Sequence, residues 1–197
     1  SASRLARMGL RVAVLEQGRL WRPGDFPTTA KARRKSTRLT GRAPKVGDPT
    51  GLYYLSVGKG LTVFGASGLG GGSLINAAVM ERPGDDAFAR GWPAGLNRER
   101  LAPAYERAES MLGPEQIPEQ VPKLDSLLRA GQRLATLEPP RKAHVAVAFR
   151  KGPQAASNVE MEACLRCGDC VSGCNHRAKK SLDTNYLALA RQRGVRL

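Results

Sequence analysis

A glycine-rich segment near the middle of the chain restricts the possible folds more than any other feature. Five of the eight residues from Gly65 to Gly72 are glycine, and an apolar run, Leu74 to Val79, follows at once. Glycine allows positive φ angles and close approach of a ligand to the main chain. Flexible linkers are seldom followed by such an apolar run. The segment predicts a tight loop that can hold a phosphate or the edge of a polarised ring, with a flexible turn or bulge as the alternative.

The loop does not match the common phosphate-binding signatures. No lysine follows Gly72, so the segment is not a Walker A loop, and the glycine spacing does not fit G-x-G-x-x-G cleanly. Its ligand therefore has to be inferred from other parts of the chain.

The first residues have the pattern of the second half of a βαβ unit. Residues 1–8 are helix-like, Gly9 is a helix stop, and the apolar run from Arg11 ends in the acid Glu16. An acid at a strand end accepts hydrogen bonds from a ribose in dinucleotide-binding folds, although a solvated acid is the alternative. The pattern predicts an α/β, Rossmann-like fold whose first strand and glycine-rich turn would precede Ser1, so we expect the chain to be a fragment.

Periodicity divides the remainder into short strands and helices. Residues 97–112 form the clearest helix, because Asn97 can cap it, its apolar residues recur every three or four positions, and Gly113 stops it. The pattern predicts a loop over 18–48. It predicts strands over 52–57, 61–64, 142–149 and from Val195, and further helices over 123–134 and 181–192.

The charge of the chain raises a polyanion as a partner. Its 197 residues include 32 Lys and Arg against 17 Asp and Glu, a formal net charge of +15. The densest basic stretch has no interleaved aromatic residues and no nucleic-acid-binding signature, so it predicts a solvated loop, with a phosphate-binding or polybasic role as the alternative. Its members are Lys31, Arg33, Arg34, Lys35, Arg38 and Arg42. No apolar run approaches the ~20 residues that span a bilayer, and the start lacks a secretory signal pattern.

All four cysteines lie in one short run with the spacing Cys-x2-Cys-x2-Cys-x3-Cys. This is the ferredoxin spacing, with Asn175 where a proline usually follows the last cysteine. The spacing favours a [4Fe–4S] cluster, while zinc, two disulfides or four reduced thiols remain open. The candidate ligands are Cys164, Cys167, Cys170 and Cys174.

Several of these segments together resemble one family. The segments are the strand and turn at 11–18, the GGGSLIN segment at 70–76, Gly91-Trp92-Pro93, the helix end at 105–113 and the AKKSLDTNYL segment at 178–187. Together they are similar to the glucose–methanol–choline (GMC) flavin oxidoreductases, most of all to the bacterial cholesterol-oxidase branch. The resemblance covers nearly the whole chain in the right order. It implies a doubly wound FAD-binding domain with part of an α+β substrate cap.

The resemblance also implies roles for particular residues. Glu16 would bind the ribose of FAD, Asn76 would sit at the flavin ring, and the Val79 backbone would lie near the ring. The residues along the pyrophosphate and flavin would be Gly68, Gly70, Gly71, Gly72 and Ser73. The catalytic histidine and its partner would lie beyond Leu197, so we expect no catalytic residue in this chain and interpret His144 as structural.

The resemblance implies an FAD-dependent oxidoreductase acting on the CH–OH group of a sterol or another alcohol, with a possible electron-acceptor protein as partner. We expect an FAD-binding part at 1–87, a cap part at 88–160, and a cysteine run that returns to the FAD-binding domain at 161–197. Secreted members of the branch lack the cysteines, which favours a cytoplasmic location. A nucleic-acid-binding cysteine module and a ferredoxin-like electron carrier remain the rival hypotheses, although we expect no nucleic acid as partner.

Overall fold

The computed structural model describes residues 1–41, 46–89, 91–93, 95–133 and 140–197. These residues form a mixed α/β structure. The helices are α1 (Ala2–Arg7), α2 (Ala30–Lys35), α3 (Asp85–Phe88), α4 (Arg98–Leu112), α5 (Pro122–Gly131) and α6 (Tyr186–Gln192), with 3₁₀ helices at Gly71–Leu74, Cys170–Ser172 and Leu182–Thr184. The strands are β1 (Thr37–Gly41), β2 (Val46–Gly47), β3 (Tyr53–Val57), β4 (Thr62–Ala66), β5 (Glu115–Gln116), β6 (His144–Val145), β7 (Gly152–Pro153) and β8 (Glu160–Met161).

The largest sheet has four strands in the order β2-β1-β3-β4. β1 and β3 are parallel, with Thr37 opposite Tyr53, while the β1–β2 and β3–β4 pairs are antiparallel. β4 leads directly into the glycine-rich loop, since the strand ends at Ala66. The two strands predicted at 52–57 and 61–64 are therefore confirmed. Their hairpin ends directly before the glycine-rich loop and so positions its first residue.

The two segments predicted as strands at 11–16 and from Val195 do pair, but only through one parallel bridge, between Ala13 and Arg196. The Val14 amide donates to the Arg196 carbonyl at 2.8 Å, and the Arg196 amide donates to the Val12 carbonyl at 3.1 Å. Helix α1 packs against α6 beside this bridge. The described part of the Rossmann-like unit is thus a parallel contact flanked by two helices, and the described four-stranded sheet is mixed rather than doubly wound.

The loop predicted over 18–48 is confirmed for residues 18–29, which contain no helix or strand, but is wrong for residues 30–41 and 46–47. Thr29 caps α2 by accepting a hydrogen bond from the Ala32 amide at 3.1 Å, and β1 follows at once. Arg33 forms an ion pair with Asp169 at 2.7 Å, so the basic stretch is not wholly solvated. Pairing of β1 with β3 explains the difference, because sheet context outweighs local propensity. Arg42 lies outside the described residues.

Other predicted elements hold with shifted ends. α4 begins after Asn97, whose side chain accepts from the Arg100 amide at 2.9 Å, and ends at Gly113 with φ 52°. The helix predicted over 123–134 is α5, and Leu134 lies outside the described residues. The strand predicted over 142–149 shortens to β6, although Val147 forms an antiparallel bridge with Lys179. No described helix is long and apolar enough to cross a membrane.

Two apolar clusters support the loops at the site. The first consists of Trp21, Phe26, Leu52, Tyr53, Leu74 and Ile75, with Ala66 packed against it. The second consists of Ala78, Val147 and Ala178, with Val145, Phe149, Cys164 and Cys174 packed against it. The glycine-rich loop contributes Leu74 and Ile75 to the first cluster, and the chain leaving it contributes Ala78 to the second. The loop therefore joins both parts of the core.

Candidate functional site

The glycine-rich loop divides into a buried half and an open half. Gly68 and Gly70 are buried, with φ angles of 146° and 119°. A Cβ at Gly68 would lie 2.4 Å from the Trp21 ring, and one at Gly70 would lie 2.9 Å from the Leu74 side chain. At Gly71 and Gly72 a Cβ would meet nothing within 4 Å. The first two glycines permit packing, whereas the last two leave the main chain open to an approaching ligand.

Glu16 links the end of the first predicted strand to this loop. Its Oε1 accepts hydrogen bonds from the Gly18 amide at 2.8 Å and from the Gly68 amide at 3.2 Å. The Glu16 side chain is exposed, so the carboxylate stands at the surface beside the loop. The structure thus brings together two residues that the sequence predicts at the site and that are 52 positions apart in the chain.

Ser73, Asn76 and Val79 follow the open glycines. The Ser73 hydroxyl donates to the Gly70 carbonyl at 2.7 Å and accepts from the Leu182 amide at 2.9 Å, so it is used within the protein. Asn76 is exposed, and its Oδ1 accepts from the Ala78 amide at 3.1 Å. Val79 is 53% exposed and bridges Val145. Asn76 and Val79 are therefore exposed beside the open glycines, whereas Ser73 stabilises the loop.

Lys179 lies behind the loop as a buried cation. Its ammonium group donates to the carbonyls of Leu74 at 3.0 Å, Asn76 at 2.6 Å and Cys170 at 2.9 Å. Burial lowers its pKa from 10.5 to about 8, because desolvation disfavours the charged form. Sequence reasoning did not identify this lysine as a site residue, since two of its three partners, Leu74 and Asn76, lie more than 100 positions earlier in the chain.

The four-cysteine loop is fixed to its surroundings at its end and at its middle. Asn175, which stands where ferredoxins have proline, accepts from the Gly24 and Phe26 amides at 2.8 and 3.1 Å and donates to the Phe26 carbonyl at 3.0 Å. The Phe26 ring also packs on Gly173, where a Cβ would lie 2.0 Å away. The ion pair of Asp169 with Arg33 adds another link. These contacts give Asn175 a structural role that the spacing alone could not predict.

The cysteines are free thiols that line one cavity of about 30 Å³. Backbone amides of Arg166 and Ala178 donate to the sulfurs of Cys164 and Cys174 at 3.3 and 3.4 Å. Burial raises the pKa of the Cys170 thiol. In the described part of the chain no group of three or more Cys, His, Asp or Glu is arranged to hold a metal ion. As arranged, these thiols do not fit a [4Fe–4S] cluster, and the cavity is only large enough for about two water molecules.

A larger cavity of about 520 Å³ lies next to the loop, which contributes Leu69 and Leu74 to its wall. This volume is within the range of small-molecule and cofactor sites. The aromatic lining comes from Trp21 and Phe26. The charged lining residues are Arg22, Arg177, Lys179, Asp183 and Arg191. Four cations against one acid favour an anionic ligand.

Comparison with known proteins identifies the family of this chain. A family model described as GMC oxidoreductase matches residues 49–197. The chain belongs to the GMC oxidoreductase family. FAD is the cofactor of GMC oxidoreductases, so the family match agrees with a glycine-rich loop that is open to an anionic ligand.

The chain is also similar to curated GMC relatives along its whole length. It is 28% identical over 210 residues to a cholesterol oxidase of Acinetobacter baumannii, covering 100% of this chain and 37% of that protein. It is 29% identical over 213 residues to a cholesterol oxidase of Mycobacterium tuberculosis, covering 36% of that protein. An uncharacterized GMC-type oxidoreductase of the same organism is 27% identical over 201 residues, with 28% of its length covered. The chain therefore spans little more than a third of the first two relatives.

His144, which the sequence predicts to be structural, contacts Glu81. Its amide donates to Glu81 Oε1 at 2.7 Å, and its ring Nδ1 lies 3.4 Å from the same oxygen. The Glu81 carboxylate also accepts from Arg141 at 2.6 Å. The pKa of Glu81 is lowered from 4.5 to about 2. The largest cause is the hydrogen bond from the Arg141 side chain, and the second is the hydrogen bond from the His144 backbone amide. This ion-pair group stabilises the chain that leaves the glycine-rich loop.

Proposed function

We propose that this chain forms part of the FAD-binding region of an oxidoreductase that oxidises a CH–OH group, with sterols as the first substrate class to test. The observation that carries the proposal is the open main chain at Gly71 and Gly72, next to the exposed Glu16, in a member of the GMC family. Two relatives bear the name cholesterol oxidase, which supports sterols as substrates.

Within this proposal the residues have distinct roles. Glu16 binds the ribose through its exposed carboxylate, and Gly71 and Gly72 lie against the pyrophosphate and flavin. Asn76 and the Val79 backbone face the flavin ring. Gly68, Gly70 and Ser73, which the sequence also assigned to the cofactor, act through the shape of the loop, because their atoms are occupied by internal packing and hydrogen bonds.

When bound, FAD would accept the hydride of the alcohol carbon, while a general base takes the hydroxyl proton. The described residues that we assign to the cofactor bind and orient it, and none of them is assigned as that base. The cationic lining of the adjacent cavity supports an anionic cofactor by offsetting part of the pyrophosphate charge.

The proposal is tested by mixing the intact protein, loaded with FAD, with cholesterol or with simple alcohols in the absence of oxygen. Loss of the visible flavin absorbance with a sterol supports a sterol oxidoreductase. Loss only with simple alcohols supports the reaction class and rejects the sterol. A flavin spectrum that no CH–OH donor changes, in protein shown to hold FAD, would contradict the reaction class.

The iron–sulfur prediction now stands on the cysteine spacing alone. An iron assay of the intact, anaerobically purified protein decides it, since about four iron atoms per chain are expected for a [4Fe–4S] cluster. Protein without iron would reject the cluster and leave the structural role of the cysteine loop. The electron-acceptor partner, the cytoplasmic location and the division at 1–87, 88–160 and 161–197 also stay proposals.

A further inference from the structure

One ammonium group connects the glycine-rich loop to the four-cysteine loop. Lys179 is only 3% exposed, and its Nζ donates to the carbonyls of Leu74, Asn76 and Cys170 at 2.6–3.0 Å. A lysine ammonium has three donors, and these three carbonyls account for all of them. Burying a charge is unfavourable unless the charge is fully hydrogen-bonded. The Lys179 ammonium group therefore links the two loops through its hydrogen bonds.

The carbonyls that it holds lie within three residues of a left-handed residue on each side. Ala78, two residues after Asn76, has φ 62°, a left-handed conformation that is unfavourable for a residue with a Cβ. Such conformations persist where surrounding contacts fix them. On the other side, the Gly173 amide donates at 3.3 Å to the same Cys170 carbonyl that Lys179 binds, and Gly173 has φ 97°. Lys179 thus fixes both backbones next to a left-handed residue.

We propose that Lys179 is a positioning residue that sets the glycine-rich loop for the cofactor and couples this loop to the four-cysteine loop. The cofactor part of this inference rests on the proposed function, whereas the coupling of the loops does not. The Lys179 ammonium group is a direct hydrogen-bonded link between the two loops, in addition to the apolar cluster that contains Ala78 and packs against Cys164 and Cys174. Loosening the cysteine loop therefore changes the position of Asn76 and of the open glycines before it.

The next residue provides a matched control. Lys180 is also buried, with 9% exposure, but its Nζ donates to the Gly113 carbonyl at 2.5 Å and to Glu115 at 2.9 Å. Both lysines belong to the segment that pairs with residues 146–148. Lys180 holds this segment to the end of α4, and among the described residues its ammonium group donates to neither loop of the proposal.

The experiment compares Lys179→Met, Lys179→Arg and Lys180→Met in the intact protein by amide hydrogen exchange and by FAD titration. For Lys179→Met we expect faster exchange in residues 72–78 and 170–173 together, and an FAD dissociation constant raised about tenfold or more. For Lys180→Met we expect faster exchange near 113–116 and an FAD dissociation constant within about twofold of the unsubstituted protein. Lys179→Arg keeps the charge, but its planar donors cannot reach all three carbonyls, so both loops exchange at intermediate rates.

Unchanged exchange in both loops of a folded Lys179→Met protein overturns the proposal, as does faster exchange in one loop only. If Lys179→Met does not fold, the same two readings on Lys179→Arg decide. If the unsubstituted protein binds no FAD, the proposed function fails, while the paired change in exchange still tests the coupling. Normal FAD affinity with loosened loops supports the coupling and rejects the cofactor role of Lys179.

Discussion

Alanine substitutions at Gly68, Gly71 and Gly72 separate the packing role of the glycine-rich loop from its binding role. The three residues lie within five positions of one another but differ in their surroundings. An alanine Cβ at Gly68 would lie 2.4 Å from Trp21 Cδ1 and 2.9 Å from the Arg19 carbonyl, at a φ of 146°. Gly71 has a φ of 54° with open space in front of it, and Gly72 has open space and no left-handed φ.

The clash at Gly68 can be relieved only at a high energetic cost, because Trp21 is buried and held by its own contacts. Its ring is 4% exposed, donates through Nε1 to the Ser67 carbonyl at 3.0 Å, and stacks 5.8 Å from Phe26. Backbone strain contributes about 1–3 kcal/mol and overpacking a further ~1–3 kcal/mol. We expect Gly68→Ala to lower the free energy of unfolding by about 2–6 kcal/mol.

The other two substitutions have smaller effects on stability. Gly71→Ala places a Cβ in the left-handed region and should lower the free energy of unfolding by about 1–2 kcal/mol. Gly72→Ala should leave it unchanged or raise it by up to about 1 kcal/mol, because alanine reduces the freedom of the unfolded chain. Urea denaturation of the intact protein measures all three.

If Gly72 lies against the cofactor, Gly72→Ala should have a large effect on FAD affinity although its effect on stability is small. Its alanine variant keeps its stability, yet the added methyl group stands where the cofactor approaches, so the FAD dissociation constant should rise about tenfold, or about 1.4 kcal/mol. Equal urea midpoints for Gly68→Ala and Gly72→Ala would refute the packing argument. Unchanged FAD affinity in Gly72→Ala would refute the assignment of the open face to the cofactor.

Three further substitutions test single contacts. Glu16→Gln weakens the hydrogen bond to the Gly68 amide and should lower FAD affinity at least threefold, measured by titration. Asn175→Ala removes three hydrogen bonds to the 24–26 loop and should lower the free energy of unfolding by about 1–3 kcal/mol in urea. Because the pKa of Glu81 is lowered, its ionised carboxylate stabilises the fold above pH 4.5, by about 1 kcal/mol after allowance for solvent screening. This stabilisation is lost as the pH falls towards about 2. Glu81→Gln should therefore reduce the acid-induced fall in the free energy of unfolding over this pH range.

Each of these tests has a matched control. For Glu16 it is Glu99→Gln, an exposed acid on α4 that makes no contact with the loop and should leave FAD affinity unchanged. For Asn175 it is Gln132→Ala, at an exposed amide with helical backbone angles after α5, and equal losses of stability in the two variants would contradict the anchoring role. For Glu81 it is Glu162→Gln. If the free energy of unfolding falls equally at acid pH in both variants, the stabilising role of the Glu81 carboxylate is contradicted.

Local pattern was sufficient for elements whose stabilising contacts are close in sequence. Asn97 caps α4 through an amide three residues on, and Gly113 ends the same helix, so both ends could be read directly. The hairpin of β3 and β4 is similarly local. The placement of Glu16 beside Gly68 was predicted only through the family resemblance, which implies that both residues contact one cofactor.

The elements that were missed depend on distant partners. β1 owes its pairing to β3, and Arg33 of the basic stretch meets Asp169, which lies 136 positions further along the chain. Lys179 was missed because nothing near it in the sequence indicates that it will meet carbonyls at Leu74 and Asn76. The one available signal was its place in the AKKSLDTNYL segment that carries the family resemblance.

The central claim is that this chain contributes to an FAD site, and the most direct measurement is the identity and amount of cofactor in the intact protein. Denaturing the purified protein and separating the released small molecules should yield FAD, at about one molecule per chain after reconstitution. Protein that releases no flavin and does not take up FAD on reconstitution, although folded, would contradict the account.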